Sequence, residues 1–172
     1  MKQLTKFLFL PIVMFAFSVT TFAQVPATAT ATAVIIAPIA ILKTTDMNFG
    51  NLAVSPTVAG TVVLPAALAP VRTITGGVTL MPGGSITAAA FTVTGLADAT
   101  YSITLPASAS LTGPGAPMTA DVFVSSPTVA AGGLLTGGTQ TLYVGATLNV
   151  AAAQTAGSYT TPAVFTVTVN YN

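Results

Sequence analysis

The chain has 172 residues, of which 52% are hydrophobic and only 4% are charged. Disordered chains combine low hydrophobicity with high charge, so this composition excludes an intrinsically disordered protein and predicts a folded one. Four Lys and Arg stand against three Asp and no Glu. A nucleic-acid-binding protein is excluded as well, because phosphate contacts require a basic surface.

The N-terminal residues 1–23 have the layout of a secretory signal peptide. Lys2 and Lys6 precede an apolar stretch at 7–17, and small residues lead to a cleavage site after Ala23. The apolar stretch is too short to span a bilayer. We therefore expect a secreted protein that passes through the periplasm to the extracellular space or the outer cell surface. No transmembrane segment is expected after cleavage.

Removal of 23 residues from 172 leaves 149, a usual length for one domain. We divide this part into an N-terminal arm, residues 24–33, and a sandwich domain, residues 34–172. The chain contains no Cys, which excludes a disulfide framework and a lipoprotein anchor. The fold must therefore depend on its core alone.

Very few charged side chains remain after residue 23. Soluble monomers usually keep a charged surface, and sheet proteins protect their edges with charged residues. Two interpretations fit the deficit: a compact, threonine-rich secreted domain, or a domain whose surface is covered by other subunits. The five charged residues are Lys43, Asp46, Arg72, Asp98 and Asp121.

Alternating apolar and polar residues between Gly and Pro positions predict strands along the whole chain. The segments 85–95 and 99–107 are predicted to form a hairpin with its turn at 95–98. The predicted strands, in chain order, are 34–43 (broken at Pro38), 47–52, 61–64, 71–80 (bent near Gly76 and Gly77), 85–95, 99–107, 118–124, 140–150 and 158–171.

Eight or nine strands at this spacing predict an all-β protein, an immunoglobulin-like antiparallel β-sandwich. The predicted hairpin directs one set of side chains inward: Phe91, Val93, Tyr101, Ile103 and Leu105.

The C-terminal segment alternates clearly, with apolar or aromatic residues at every second position. This pattern predicts a half-buried strand. It leaves two alternatives open: the apolar side chains line a groove offered to a partner, or they fill the core of the domain itself. These side chains are Phe165, Val167, Val169 and Tyr171.

The sequence lacks the residues that most enzymes use. Without His, Cys or Glu, it has none of the commonest general bases, metal ligands or activated nucleophiles. Asp46 and Asn48 have the spacing that begins a calcium loop, but no further acidic residue follows where the loop requires one. Such a pair is more typical of a turn. We predict a non-enzymatic protein with no catalytic residue, no cofactor and no metal site.

Three stretches carry a family resemblance: "ILKTTDMNFGNLAV" (41–54), "AFTVTGLADATYSITLP" (90–106) and "LYVGATLNVAAAQTAGSYTTPAVFTVTVNY" (142–171). They resemble a family of small secreted bacterial domains of unknown function, which is similar to spore coat protein U and to fimbrial subunits of the chaperone–usher type. The residues that carry the resemblance are 48–50, Gly95, Tyr101, 144–148 and 156–159.

The resemblance implies a subunit that is an incomplete sandwich. In the fimbrial proteins a periplasmic chaperone, and then the N-terminal extension of the next subunit, completes the fold by strand addition. By this resemblance we expect a structural subunit of a fimbria-like fibre or coat, which self-associates with the help of a chaperone and an outer-membrane usher. The alternative is a monomeric secreted binding module. The expected donor residues of the arm are Ala27, Ala29, Ala31 and Ala33.

Overall fold

The computed structural model of the chain describes residues 24–162 and 165–172. The predicted signal peptide, residues 1–23, lies outside these residues. The chain divides into two units, Met1–Val34 and Ile35–Asn172. In the first unit, the described residues 24–34 are exposed and have no regular secondary structure.

The second unit is an all-β antiparallel sandwich, as predicted. The described residues form twelve strands, several of them only two to four residues long. Their bounds are β1 Ala40–Thr45, β2 Leu52–Val54, β3 Gly60–Leu64, β4 Thr73–Gly76, β5 Val78–Leu80, β6 Ala89–Thr94, β7 Thr100–Thr104, β8 Ser108–Leu111, β9 Met118–Ser126, β10 Gly133–Leu134, β11 Thr139–Val150 and β12 Thr168–Tyr171.

Strand β11 organises the largest sheet, which contains seven strands. One of its edges pairs with β9, and β9 pairs with β8. The other edge is shared: residues 139–144 pair with β6, and residues 146–150 pair with β3. Strands β1 and β4 extend the sheet beyond β6 and β3. On this side of β11 the sheet therefore continues as two separate branches, β6–β1 and β3–β4.

Two smaller sheets pack against different parts of the large one. The sheet β10–β7–β12 packs on β6 and the first half of β11, where Val93, Tyr101 and Leu142 are fully buried. The two-stranded sheet β2–β5 packs on β3, β9 and the second half of β11, around Val62 and Leu64. The domain therefore has two hydrophobic clusters, each covered by its own small sheet.

Local sequence explains most of these strands. In β7, the order Thr-Tyr-Ser-Ile-Thr alternates exposed and buried residues, as a strand with one face on the core requires. The predicted bend in 71–80 is confirmed, because Gly76 ends β4 with a φ of 65° and β5 begins only at Val78. A left-handed conformation of this kind favours glycine, which has no Cβ to clash.

The predicted hairpin between 85–95 and 99–107 is wrong. β6 pairs with β1 and β11, whereas β7 pairs with β10 and β12 in the other layer. The connecting residues instead bond to the segment 135–138: Asp98 N–H donates to Leu135 C=O at 2.7 Å, and Gly95 N–H donates to Gly138 C=O at 3.0 Å. The side-chain prediction is nevertheless confirmed. Phe91, Val93, Tyr101 and Ile103 are buried, and Leu105 packs against them.

Two further boundaries differ from the prediction. The strand expected at 34–43 begins only at Ala40, and residues 34–38 are exposed. Pro38 explains this difference, because it cannot donate a ladder hydrogen bond. In the predicted strand 158–171, the ladder is formed only by Thr168–Tyr171, and residues 163–164 lie outside the described part.

The pH dependence of stability follows from the small number of titratable groups. The pKa of Tyr101 is raised above its usual 10.0 by desolvation on burial. Above about pH 10 the unfolded chain releases this proton before the folded one does, so the folded state is progressively destabilised as pH rises. We expect the free energy of unfolding to be nearly constant from about pH 3 to about pH 10 and to fall at higher pH.

Denaturant unfolding across this pH range measures the effect, and Tyr101→Phe is the control that should weaken the alkaline decline. A steep loss of stability in acid would contradict the prediction, since it would require a carboxylate with a strongly stabilising partner in the folded state.

Candidate functional site: an open cleft in the sandwich

The inner face of the large sheet is not fully covered. A cleft of about 1060 Å³ opens on it, and inner residues of β6, β9 and β11, including Phe91, Phe123 and Leu148, form its floor. One wall is the segment 46–54, which ends in β2. The other wall is the segment 154–161 together with Phe165, which precedes β12. We refer to this feature as the open cleft.

The exposure of Lys43 shows that solvent reaches the inner face of the large sheet at this point. It pairs directly with Phe91, so both side chains lie on the same face of the sheet. Phe91 is buried, yet the Lys43 side chain is 53% exposed and lines the open cleft. A lysine on the core-facing side of a strand is tolerated only where solvent reaches that face.

The charge of Lys43 is balanced nearby. Its Nζ lies 2.5 Å from Oδ1 of Asp46, and both side chains are largely exposed. Exposed pairs of this kind contribute about 0–1 kcal/mol to stability. These two residues are the charged members of the cleft lining, whose other residues are apolar or neutral and polar. The open cleft is therefore suited to an uncharged, largely apolar occupant.

A buried arginine holds the wall 46–54 in place. Arg72 is only 8% exposed, and its guanidinium donates to the carbonyl of Phe49 and, at 3.3 Å, to that of Asn51. Gly50, between these two residues, has a φ of 70°, and a Cβ there would lie 2.8 Å from Nη1 of Arg72. The Asn48 side chain accepts the Gly50 N–H at 2.8 Å. The motif Asn48–Gly50 is thus a fixed turn at the edge of the open cleft.

A tyrosine fixes the opposite wall. The hydroxyl of Tyr159 donates to the carbonyl of Thr155 at 2.8 Å and accepts the N–H of Gly115 at 3.1 Å. The segment 154–161 is therefore attached to the loop before β9. Both walls contain residues from the stretches on which the family resemblance is based, 48–50 and 156–159. Gly95 and Tyr101, which also carry the resemblance, lie outside the cleft lining.

The structure brings the four predicted assembly residues together in the domain's own core. Val167 and Val169 are buried, at 8% and 7% exposure, in the cluster beneath β10–β7–β12. Phe165 and Tyr171 pack against this cluster. The Phe165 ring also lines the open cleft, with its centroid 5.2 Å from that of Phe123. Three of the four side chains thus belong to the core alone, and Phe165 belongs to the core and to the cleft.

The end of β12 is anchored through Tyr171. Its hydroxyl accepts the N–H of Leu96 at 2.6 Å and donates to the carbonyl of Ala37 at 3.0 Å. This arrangement joins the C-terminal strand to the segment that leads into β1. Strand β12 is therefore held to the rest of the domain by side-chain hydrogen bonds.

Backbone pairing is less complete than side-chain packing. Among the described strands, β12 pairs only with β7, β2 pairs only with β5, and β1 pairs only with β6. Strands β1 and β12 come within 8 Å of each other, Cα to Cα. Each of these three strands has one edge without a ladder partner among the described strands. Residues of β1 and β2 line the open cleft, and Phe165, three residues before β12, lines it as well. Such edges are templates for pairing with an added strand.

The four predicted donor residues Ala27, Ala29, Ala31 and Ala33 are exposed and have no strand partner among the described residues. Sequence reasoning did not identify the open cleft itself. Its floor comes from strands far apart in the sequence, and the only signals of its walls were the turn residues around Phe49 and Tyr159.

Within the described part of the chain, no group of three or more His, Cys, Asp or Glu side chains converges on a common point. None of the described residues forms a helix long and apolar enough to cross a membrane. A family model described as a domain of unknown function (DUF4402) matches residues 39–171. Comparison with curated proteins and with solved structures finds no match.

Proposed function

Because the chain belongs to the DUF4402 family of domains of unknown function, whose model covers residues 39–171, we propose its function from the structure. We propose that it is a non-enzymatic structural subunit of an extracellular or cell-surface assembly, a fimbria-like fibre or coat, joined by strand complementation. The observation that carries this proposal is the open cleft, whose wall contains β2, a strand paired on one side only among the described strands.

The physical argument concerns the second layer of the sandwich. This layer consists of two separate sheets, β10–β7–β12 and β2–β5, and the open cleft exposes the large sheet beside β2 and beside Phe165, which precedes β12. An added strand there gains backbone hydrogen bonds from a free edge and covers apolar side chains on the cleft floor. A strand supplied by another copy forms a head-to-tail contact, which generates open fibres.

The proposal also accounts for the scarcity of charged residues on the free strand edges. Sheet proteins usually protect free edges with Lys or inward-pointing charges. Here the edge strand β12 has no charged residue, β2 has none, and β1 has Lys43 alone. In this proposal the signal peptide directs the chain to the cell surface. A periplasmic chaperone protects the strand edges, and an outer-membrane usher then assembles the subunits.

The size of the open cleft favours one second candidate. A volume of about 1060 Å³ is at the upper limit of small-molecule pockets, which are about 300–1,000 Å³. With Phe91, Phe123, Tyr159 and Phe165 in its lining, it is also suited to an apolar ligand. In that case the protein is a monomeric secreted binding module.

Light scattering after size exclusion, with negative-stain images of the same fractions, separates the two functions. We expect the full chain, exported by its own leader in a bacterial host, to give a ladder of masses or thin fibres. A single sharp monomer that stays monomeric for days at high concentration would contradict assembly as an intrinsic property and favour the binding module.

A further inference from the structure

The segment before β1 contains the most exposed large apolar residues among those described. Val34 is 88% exposed, Ile35 is 97% exposed and Ile36 is 50% exposed. An isoleucine at 97% exposure gains nothing from the folded domain, whereas its burial against a partner is favourable. Exposed apolar residues in a cluster of this kind mark contact sites.

Two prolines define how much of this segment can act as a strand. Pro26 and Pro38 enclose residues 27–37, which contain no proline, so each of the eleven residues has a backbone N–H for a ladder. The same residues contain no charged side chain. They therefore match the neutral lining of the open cleft.

Strand periodicity places Ile35 on a definite face of this segment. Successive side chains of a strand alternate between faces, so the odd-numbered residues share one face and the even-numbered residues share the other. The odd face consists of Ala27, Ala29, Ala31, Ala33, Ile35 and Ala37. Ile35 is the only large side chain on it, and the alanines alone would bury little surface in a cleft lined by aromatic rings.

The point at which the domain holds this segment indicates which cleft it enters. The Tyr171 hydroxyl holds the carbonyl of Ala37. Lys43 and Phe165, which both line the open cleft, are six residues along the chain from Ala37 and from Tyr171 respectively. The chain runs from Ala37 to Lys43 in the cleft lining, so the residues before Ala37 would have to reverse direction to enter the cleft of their own domain. They can enter the cleft of a second copy without such a reversal.

We propose that Ile35 is the anchor of the donor strand and inserts, with the odd face of residues 27–37, into the open cleft of a second copy of this chain. The inference depends on the proposed function and deepens it, because it assigns the main contact to Ile35 rather than to the four alanines. The free edge of β2, which lines the open cleft, supplies the backbone ladder.

Cross-linking tests this placement directly, because the chain has no natural Cys. Copies with Ile35→Cys are mixed with copies with Ala53→Cys, since Ala53 is exposed and lines the open cleft on β2. We expect a disulfide-linked dimer from this mixture. In the matched control, Ala130→Cys takes the place of Ala53→Cys in the mixture. Ala130 is exposed but lies outside the cleft lining, so no disulfide-linked dimer with Ile35→Cys is expected.

The other outcomes separate this inference from the proposed function. If Ala29→Cys gives the dimer and Ile35→Cys does not, strand complementation stands and the assignment to Ile35 is overturned. If fibres form but no arm position cross-links to Ala53→Cys, assembly stands through another contact and the inference is wrong. If the chain stays monomeric, both fail.

Substitution without cross-linking provides a second measurement. Ile35→Ser should weaken assembly by about tenfold or more, whereas Ile35→Leu should retain it. Val25→Ser is the matched control, because Val25 is 86% exposed but lies before Pro26. Equal losses for Ile35→Ser and Val25→Ser would overturn the inference.

Discussion

A chain without residues 24–33 is expected to fold normally and to form no fibres. These residues are exposed and have no regular secondary structure, and the first strand begins only at Ala40. Their removal therefore costs the folded domain little. It shortens the proline-free donor segment from eleven residues to four, 34–37, too few to form a full ladder with a free edge.

The deletion is measured by two observables on the same preparation. The midpoint of denaturant unfolding should match that of the full domain, and light scattering should show a monomer. The matched control is a chain in which residues 24–33 keep their length but are replaced by Gly and Ser. It retains Ile35 and the backbone N–H groups of the arm, so it should still assemble, although more weakly than the full chain. Fibres of normal length from the deleted chain would exclude the arm as the donor.

Replacing Gly133 with alanine is expected to cause a large loss of stability. Gly133 on β10 pairs directly with Tyr101 on β7. A Cβ at Gly133 would overlap Cζ, Cε1 and Oη of Tyr101. The Tyr101 side chain cannot move away easily, because it is fully buried and its hydroxyl donates to Oε1 of Gln140 at 2.8 Å.

Overpacking of this kind typically costs 1–3 kcal/mol, and we expect about 3 kcal/mol at this position. Gly137→Ala is the matched control. No atom lies within 4 Å of a Cβ at that position, so the substitution has only the conformational cost of its φ of 63°, about 1 kcal/mol. Thermal or denaturant unfolding of both variants measures the difference. A Gly133→Ala variant as stable as Gly137→Ala would show that the sheet β10–β7–β12 is loosely packed.

The alternation of apolar and polar residues along the chain was sufficient to predict the all-β class and most strand positions. Strands β3, β9 and β11 follow the predicted segments within one or two residues, because each buries one face and alternates accordingly. The inward side chains of β6 and β7 were predicted for the same reason. Side-chain periodicity depends on neighbours along the chain, so it can be read from the sequence.

Strand partners and the open cleft could not be predicted in this way. β6 and β7 are adjacent in sequence, and neighbouring strands pair in most proteins. Here the connection bonds to Leu135 and Gly138, about 40 residues later, and separates the two strands into different layers. The same long-range pairing leaves the cleft between the small sheets. The Lys43–Phe91 register, which shows that a charged residue faces inward, is likewise visible only in the structure.

The position of β11 in the sequence has a consequence for folding. Strands β3, β6 and β9 all find their central partner in Thr139–Val150, which follows them in the chain. Until that segment has been synthesised, only separate pairs such as β1–β6, β3–β4 and β8–β9 can form, without the strand that joins them. Folding dominated by such distant pairings is slow, and it exposes apolar surface and strand edges meanwhile. A partner that binds strand edges would therefore act first on the incompletely folded domain, before it acts on the finished one.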